Sequence, residues 1–236
     1  MATKTQQQRS SVSGARVTPV ADGPPDPDSL IPSQRMRRDR IVHQAMRMLE
    51  RREYEEIQMR DVAERADVAL GTVYRYFASK EHLFAAVLVE WSASLNSRVQ
   101  RDPLAGDDIP AQLADLVHRV VEAFERLPQF FRLLVALEST PDKHARLLYD
   151  EFTRRTNDTF VQPLRDLDPI EAAAIINVLM AVLGAVMRSW ARGAMPPAAV
   201  EARLNNAVQL IFSPPPKARR RTAAVNRRSD PDPTPR

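Results

Sequence analysis

The sequence contains no cysteine, which excludes disulfides, thiolate metal sites and cysteine nucleophiles. It has only six glycines in 236 residues, whereas Ala, Leu, Arg and Glu are frequent; that balance favours helix over sheet. The N-terminus is polar and lacks an apolar signal core, so the expected location is the cytoplasm. The longest apolar stretch, residues 172–187, is interrupted by Asn177. It falls short of the roughly 20 residues of a membrane span, so it reads as a buried core helix and no membrane partner is expected. There is no Gly-x-Ser-x-Gly elbow and no Gly-rich phosphate loop. None of the four histidines, His43, His82, His118 and His144, has a second histidine four residues on, so no metal site is expected; surface or capping roles suit them better. Ser139, Asp142 and His144 are near in sequence, but no nucleophile geometry follows from that. The chain is not expected to be an enzyme or to carry a cofactor.

Apolar residues make up 44% and charged residues 27%, as in ordinary soluble globular proteins. The net charge of +4 is modest but unevenly placed. Residues 33–101 carry 13 basic and 10 acidic groups, residues 102–212 carry 11 and 15, and residues 213–236 carry seven and two. Such an asymmetry suits a chain with one end that meets a polyanion. Residues 1–32 and 213–236 hold 11 of the 19 prolines and few apolar groups, so both are expected to be disordered tails. The second tail is basic, with Lys217, Arg219, Arg220, Arg221, Arg227 and Arg228. As a flexible arm it can neutralise phosphates; a solvated tail is the alternative.

Between the tails the pattern is all-α. Helix 1 is expected after Ser33 as N-cap, running to about Arg52 with Ile41, Ala45, Met48 and Leu49 on its apolar face. Short helices follow at Met59 to Ala66 and Leu70 to Phe77, and a longer one begins at the N-cap Ser79. Further helices are expected over Ile109 to Phe124, after Pro128, and from Asp142 towards Phe160. The last two run from Asp168-Pro169 to a stop at Gly193, and from Pro197 to Phe212. Residues 33–79 form a three-helix head, and residues 80–212 a second helical domain.

The segment from Gln58 to Phe77 carries the chemistry. Ala63 and Ala66 permit close helix approach, and Asp67 sits where the turn needs a left-handed backbone. This is the shape of a helix-turn-helix, whose second helix enters the major groove of double-stranded DNA. Leu70 and Gly71 open that helix, and Gly71 lets the backbone come close. Thr72, Tyr74, Arg75 and Tyr76 can donate to phosphates or base edges. Lys80, at the start of the next helix, can hold a phosphate with that helix's N-terminus. Gln58 precedes the first short helix and Arg60 opens it. Arg35, Arg37, Arg38 and Arg40 precede or begin helix 1, where basic residues beside such a motif reach the DNA backbone. Packing competes with DNA contact at Tyr74, and more strongly at Tyr76 and Phe77, which lie toward the core side. A solvated arginine is the plain alternative at Arg60.

The run Gln58-Met59-Arg60-Asp61-Val62-Ala63-Glu64-Arg65-Ala66-Asp67-Val68-Ala69-Leu70-Gly71-Thr72-Val73-Tyr74-Arg75-Tyr76-Phe77 resembles the DNA-binding signature of the tetracycline-repressor (TetR) family. Ser79-Lys80-Glu81-His82-Leu83 matches the family's entry into the fourth helix. The resemblance covers about residues 35–85. Within the family the chain is most similar to actinobacterial regulators of sterol and lipid catabolism, on Gln58-Met59-Arg60, Arg65-Ala66-Asp67-Val68-Ala69, Tyr74-Arg75-Tyr76-Phe77 and, weakly, its last two helices. It departs from the family's usual Gly-Val-Ser turn by having Asp67 and Ala69, so its recognition helix lacks a hydroxyl N-cap. The resemblance implies a homodimer on a palindromic operator and a second domain with a ligand cavity.

Residues suited to an apolar cavity are Trp91, Phe124, Phe131, Leu134, Phe152, Met180, Leu183, Met187 and Trp190; each is also suited to plain core. No charged cluster stands among them, so the expected effector is hydrophobic, a lipid or sterol catabolite or its coenzyme A thioester. The alternative is a DNA-binding protein with no small-molecule input, architectural or partner-controlled. Dimerisation is expected through the last two helices, with Ala181, Gly184, Ala185 and Arg188 on one and Leu204, Val208 and Ile211 on the other.

Overall fold

The computed structural model describes residues 23–213, and among these only helices and turns occur. The basic tail beyond Ser213 lies outside the described residues, as do residues 1–22. Nine α-helices follow in order: α1 Pro32–Leu49, α2 Met59–Arg65, α3 Leu70–Tyr76, α4 Lys80–Arg101, α5 Ile109–Arg126, α6 Pro128–Leu137, α7 Lys143–Val161, α8 Pro169–Ala191 and α9 Pro197–Phe212. Short 3-10 turns occupy Pro27–Ser29, Tyr54–Glu56 and Gln162–Leu164.

The helix starts follow local chemistry. Ser79 Oγ accepts from the His82 amide at 2.9 Å, and Asp108 caps α5 through the Ala111 amide at 2.8 Å. Asp142 accepts from the amides of His144 and Ala145 at 2.9 and 2.8 Å, opening α7. Asp168 does the same for α8 through Ile170 and Glu171. Each such cap contributes about 1 kcal/mol. α8 ends at Ala191, and Gly193 just beyond the Arg192 cap has a φ of 72°, the left-handed conformation that glycine adopts at least cost.

Two boundaries differ from expectation. α1 opens at Pro32, with Ile31 rather than Ser33 in the cap position, and ends at Leu49 rather than Arg52. Proline suits the first helical position because its missing N–H would have been unpaired there. The proline-rich segment before α1 is not wholly a tail: Asp26 caps a 3-10 turn and Leu30, 7% exposed, joins the core.

Helix α4 is the axis of the molecule. It packs on α1 in the head and on α7 and α6 in the second domain. Helices α5, α8 and α9 close the far side. One continuous set of buried apolar residues runs from Leu30 and Ile41 through Phe84 and Trp91 to Val208, so the head and the second domain share a core.

α8 is not the buried core helix that its composition suggests. By length and composition it is apolar enough to cross a membrane, yet only 33% of its most apolar window is buried. Ala172, Ile175, Ile176, Leu179, Leu183, Val186 and Met187 face inward, while Ile170 and Val178 are 82% and 51% exposed. One face serves the protomer's core and the other is left apolar and open.

Candidate functional site

The α2–α3 unit is built around its turn. Asp67 has φ 51°. The Val68 amide donates to the Ala63 carbonyl at 3.0 Å and the Asp67 amide to the Glu64 carbonyl at 3.1 Å. These two bonds satisfy the last carbonyls of α2 in the Schellman arrangement. The Asp67 carbonyl also accepts from Arg40 at 3.5 Å, tying the turn to α1. Ala69 precedes α3 in extended conformation with no side-chain cap, as its lack of a hydroxyl requires.

Seven residues make α3, and two of them anchor it. Val73 and Tyr76 are 0% and 2% exposed, each contributing roughly 1.5–3 kcal/mol by burial. Their burial fixes which face looks out: Gly71 is exposed with open space beside its Cα, Thr72 is half-buried, and Tyr74 is 49% exposed. Arg75 lies at the surface, its guanidinium 5.1 Å from the Tyr76 ring centroid and donating to the Tyr76 hydroxyl at 3.1 Å. Leu70 packs partly against the core. Arg37, Gln58 and Arg60 are exposed on α1 and at the start of α2.

Three expected DNA contacts are directed elsewhere. Tyr76 belongs to the core, because its ring fills the space under α3. Arg38 points inward, with its guanidinium 5.2 Å from the Phe77 ring centroid and 3.8 Å from Asp39. Burial holds its pKa below the usual arginine value, against the opposing pull of Asp39 and Glu90. Lys80 turns back onto the Tyr54–Glu56 turn, with Nζ 4.2 Å from the Tyr54 ring centroid and 3.4 Å from the Glu55 carbonyl. Burial lowers its pKa as well.

Where the head meets the second domain lies a polar cluster missed in sequence. His82 is 9% exposed and stacks on His144 of α7, with centroids 5.2 Å apart. Its Nδ1 accepts from the Ala78 amide at 3.2 Å, so the neutral ring with hydrogen on Nε2 fits. Burial first, then the neighbouring His144 and Arg38, push its pKa down to about 4 despite the carboxylate of Asp142. The Ser79-x-x-His82 spacing was the available signal, since it puts the ring over the first turn of α4.

In the second domain, a void of about 30 Å³ lies between α4, α5 and α7. Trp91, Phe124 and Phe152 line it as expected, with Leu116, Val120, Phe160 and Thr156 added. Phe131, Leu134, Met180, Leu183, Met187 and Trp190 do not line it; they pack into the core, with Phe131 and Trp190 edge to face at 6.4 Å. α6 and α8 pack against each other there.

On the helices expected to pair, Ala181 and Ala185 are exposed and Gly184 and Ile211 half-buried. Gly184 has the Arg188 guanidinium 3.2 Å from where a Cβ would sit, and Arg188 pairs with Glu138 at 3.4 Å. Leu204 and Val208, both 0% exposed, face the protomer's own core and cannot meet a partner. The outward residue of α9 is Leu210, 74% exposed.

The profile of bacterial regulatory proteins of the tetR family matches residues 41–87. The HTH-type transcriptional repressor KstR of Mycolicibacterium smegmatis is 31% identical over 181 residues, covering 76% of this chain and 89% of that protein. KstR of Mycobacterium tuberculosis is 30% identical, covering 76% and 82%. Among solved structures, a TetR transcriptional regulator from Rhodococcus sp. RHA1 superposes with a TM-score of 0.67 at 22% identity, covering 76% of this chain and 97% of that one. Thermus thermophilus FadR, a repressor in complex with lauroyl-CoA, gives 0.61 at 20% identity, covering 84% and 100%. These two structures share the fold.

Proposed function

The chain belongs to the tetR family of bacterial regulatory proteins, and from that premise we propose that it is a homodimeric repressor released from a palindromic operator by a hydrophobic effector. The observation that carries the DNA half is the outward face of α3: Gly71 and Tyr74 are exposed and Thr72 half-exposed because Val73 and Tyr76 are sunk in the core. Such a helix, set by a tight turn against a second one, presents its N-terminal residues to base edges in the major groove. Arg37, Gln58 and Arg60 flank it as backbone contacts. A regulator of this kind works beside the chromosome, which puts it in the cytoplasm.

The dimer half is supported by the open apolar face of α8 and α9. Ile170, Val178 and Leu210 are large, apolar and exposed, with Ala181 and Ala185 small enough to let helices approach. An apolar face left open on two adjacent helices suits a four-helix seam with a second copy.

The effector half is supported by the aromatic void beside α4 and by the acyl-CoA held by a repressor of the same fold. An effector drawn from lipid or sterol breakdown, free or as its coenzyme A thioester, fits this lining. The void of about 30 Å³ holds little more than a water molecule, which favours a second reading, a regulator without a small-molecule input. A thermal-shift series separates them. Long-chain fatty acids, their coenzyme A thioesters and sterol-derived thioesters should include one that raises the melting temperature of the full-length protein and releases it from DNA. If none does either, the effector reading is wrong and the second stands.

A further inference from the structure

The apolar void of the second domain shares walls with two larger clefts. The apolar void and a cleft of about 680 Å³ between α4 and α7 have Asn96 and Thr159 in common. On another side, Trp91 belongs both to the void and to a second cleft of about 530 Å³. That second cleft is walled by Met46 and Glu50 of α1, by Asp102 after α4, and by Arg119, Glu122 and Arg126 of α5. The Trp91 indole, 8% exposed, is therefore the partition between the void and a cleft that touches the first helix of the DNA-binding head. It is held by ring contacts, 4.8 Å from Phe130 and 5.0 Å from Phe124. Among the described residues no hydrogen bond fixes its N–H, and non-directional contacts of this kind can be exchanged for others as a ring turns.

We propose that Trp91 is a gate: an elongated amphipathic effector puts its apolar body in the void, turns the indole aside and lodges an anionic end in the cleft between α1 and α5. This rests on the effector reading above. The void alone is far smaller than the several hundred Å³ that a drug-sized ligand fills, so occupancy requires a wall to move. Asn96 and Thr159 on one side and Trp91 on the other have open volume behind them, and Trp91 is the wall whose cleft reaches α1. Arg126 supplies the anion contact. It pairs with Glu122 at 2.6 Å while 65% exposed, and an exposed pair of this kind holds weakly against a competing anion. Arg119 is fixed beside it by Asp115 at 2.8 Å and by the carbonyls of Asp102 and Pro103. Met46 and Glu50 form the far wall, so a displaced indole or an arriving anionic end presses on α1. Effector binding thereby reaches the head directly as well as through α4.

The test uses the full-length chain on an operator obtained by selection from random duplexes. In Trp190→Phe, Trp91 is the sole tryptophan, and lauroyl-CoA and free laurate are titrated in separate arms. We expect the agent that releases DNA to shift Trp91 emission with the same midpoint. The arm that succeeds tells a phosphate-bearing end from a carboxylate. In Trp91→Leu, calorimetry should still detect the ligand, while the concentration that releases DNA rises about tenfold, inside the usual span of allosteric coupling. Arg126→Gln should raise the releasing concentration about fivefold by removing a charge-assisted contact. Release from Trp190→Phe without any change in Trp91 emission overturns the gate and leaves the effector reading standing. An unchanged releasing concentration in Trp91→Leu does the same. An unmodified protein that no fatty acid, acyl or sterol thioester releases overturns the effector reading and the gate with it.

Discussion

Tyr74 and Tyr76 stand two residues apart on α3 and do opposite work. Tyr74 is 49% exposed and Tyr76 2%, so truncating each should fail differently. Tyr76→Ala should lower stability by about 3–5 kcal/mol, the usual loss for a buried aromatic ring, read as a large drop in melting temperature. Tyr74→Ala should leave the melting temperature almost unchanged and weaken the specific site far more than random DNA in fluorescence anisotropy; equal losses on both would deny it a role in reading bases. His82 adds a pH dependence. Its folded pKa of about 4 lies below the ordinary histidine value of 6.5, so between those values the unfolded chain binds a proton that the folded chain refuses. Stability therefore falls as pH drops from about 6.5 to 4, by on the order of 2 kcal/mol from this group alone. Burial is the main cause of the shift; of the groups that face the ring, His144 and Arg38 add to it and Asp142 opposes it. His82→Asn should flatten the melting-temperature decline between pH 7 and 5; an equal decline in the variant would show that other groups carry it. At this scale the sequence was partly readable. Asp67 announced its left-handed turn because few residues tolerate one. The inward aim of Arg38 and Lys80 was hidden, since both turn toward aromatic rings, Phe77 and Tyr54, and only folding decides which way a long side chain lies.

Helices were legible because their ends carry local chemistry. Ser79, Asp142, Asp168 and Gly193 each act within a few residues of themselves, and the structure puts α4, α7 and α8 where those signals stand. What covers an apolar face is not local. Leu204 and Val208 share the helical spacing of a partner-facing stripe, yet α5 and α8 of the same protomer cover α9. The large apolar residues left exposed on α8 and α9 include Val178 and Leu210. Replacing both by Arg should yield monomers in sedimentation analysis, because two charges facing their symmetry mates cannot be desolvated unpaired. The same change at Leu147 of α7, 68% exposed, should leave the dimer intact. A double variant at Val178 and Leu210 that sediments as a dimer would move the seam to another face.

At the scale of the whole molecule, α4 and the shared core make one mechanical unit of head and second domain. The 22 residues of α4 span about 33 Å at 1.5 Å each, from the polar cluster at Ser79 and His82 past Trp91. In the proposed dimer, an effector that moves Trp91 or tilts α4 would alter the distance between the two recognition helices, which a two-fold operator would fix. By linkage, an effector that weakens operator binding by some factor must itself bind the operator-bound dimer more weakly by the same factor. Calorimetry of the effector with and without operator should return that equality. That coupling acts only if the α3 faces of two protomers read a two-fold site. The most direct measurement is selection of duplexes from a random pool by the full-length protein, run in parallel with Tyr74→Ala. The account predicts an enriched inverted repeat, with half-sites about one helical turn or a multiple apart, roughly 34–36 Å per turn, and loss of that enrichment in the variant. A pool with no symmetric motif, or one enriched equally by both proteins, would contradict it.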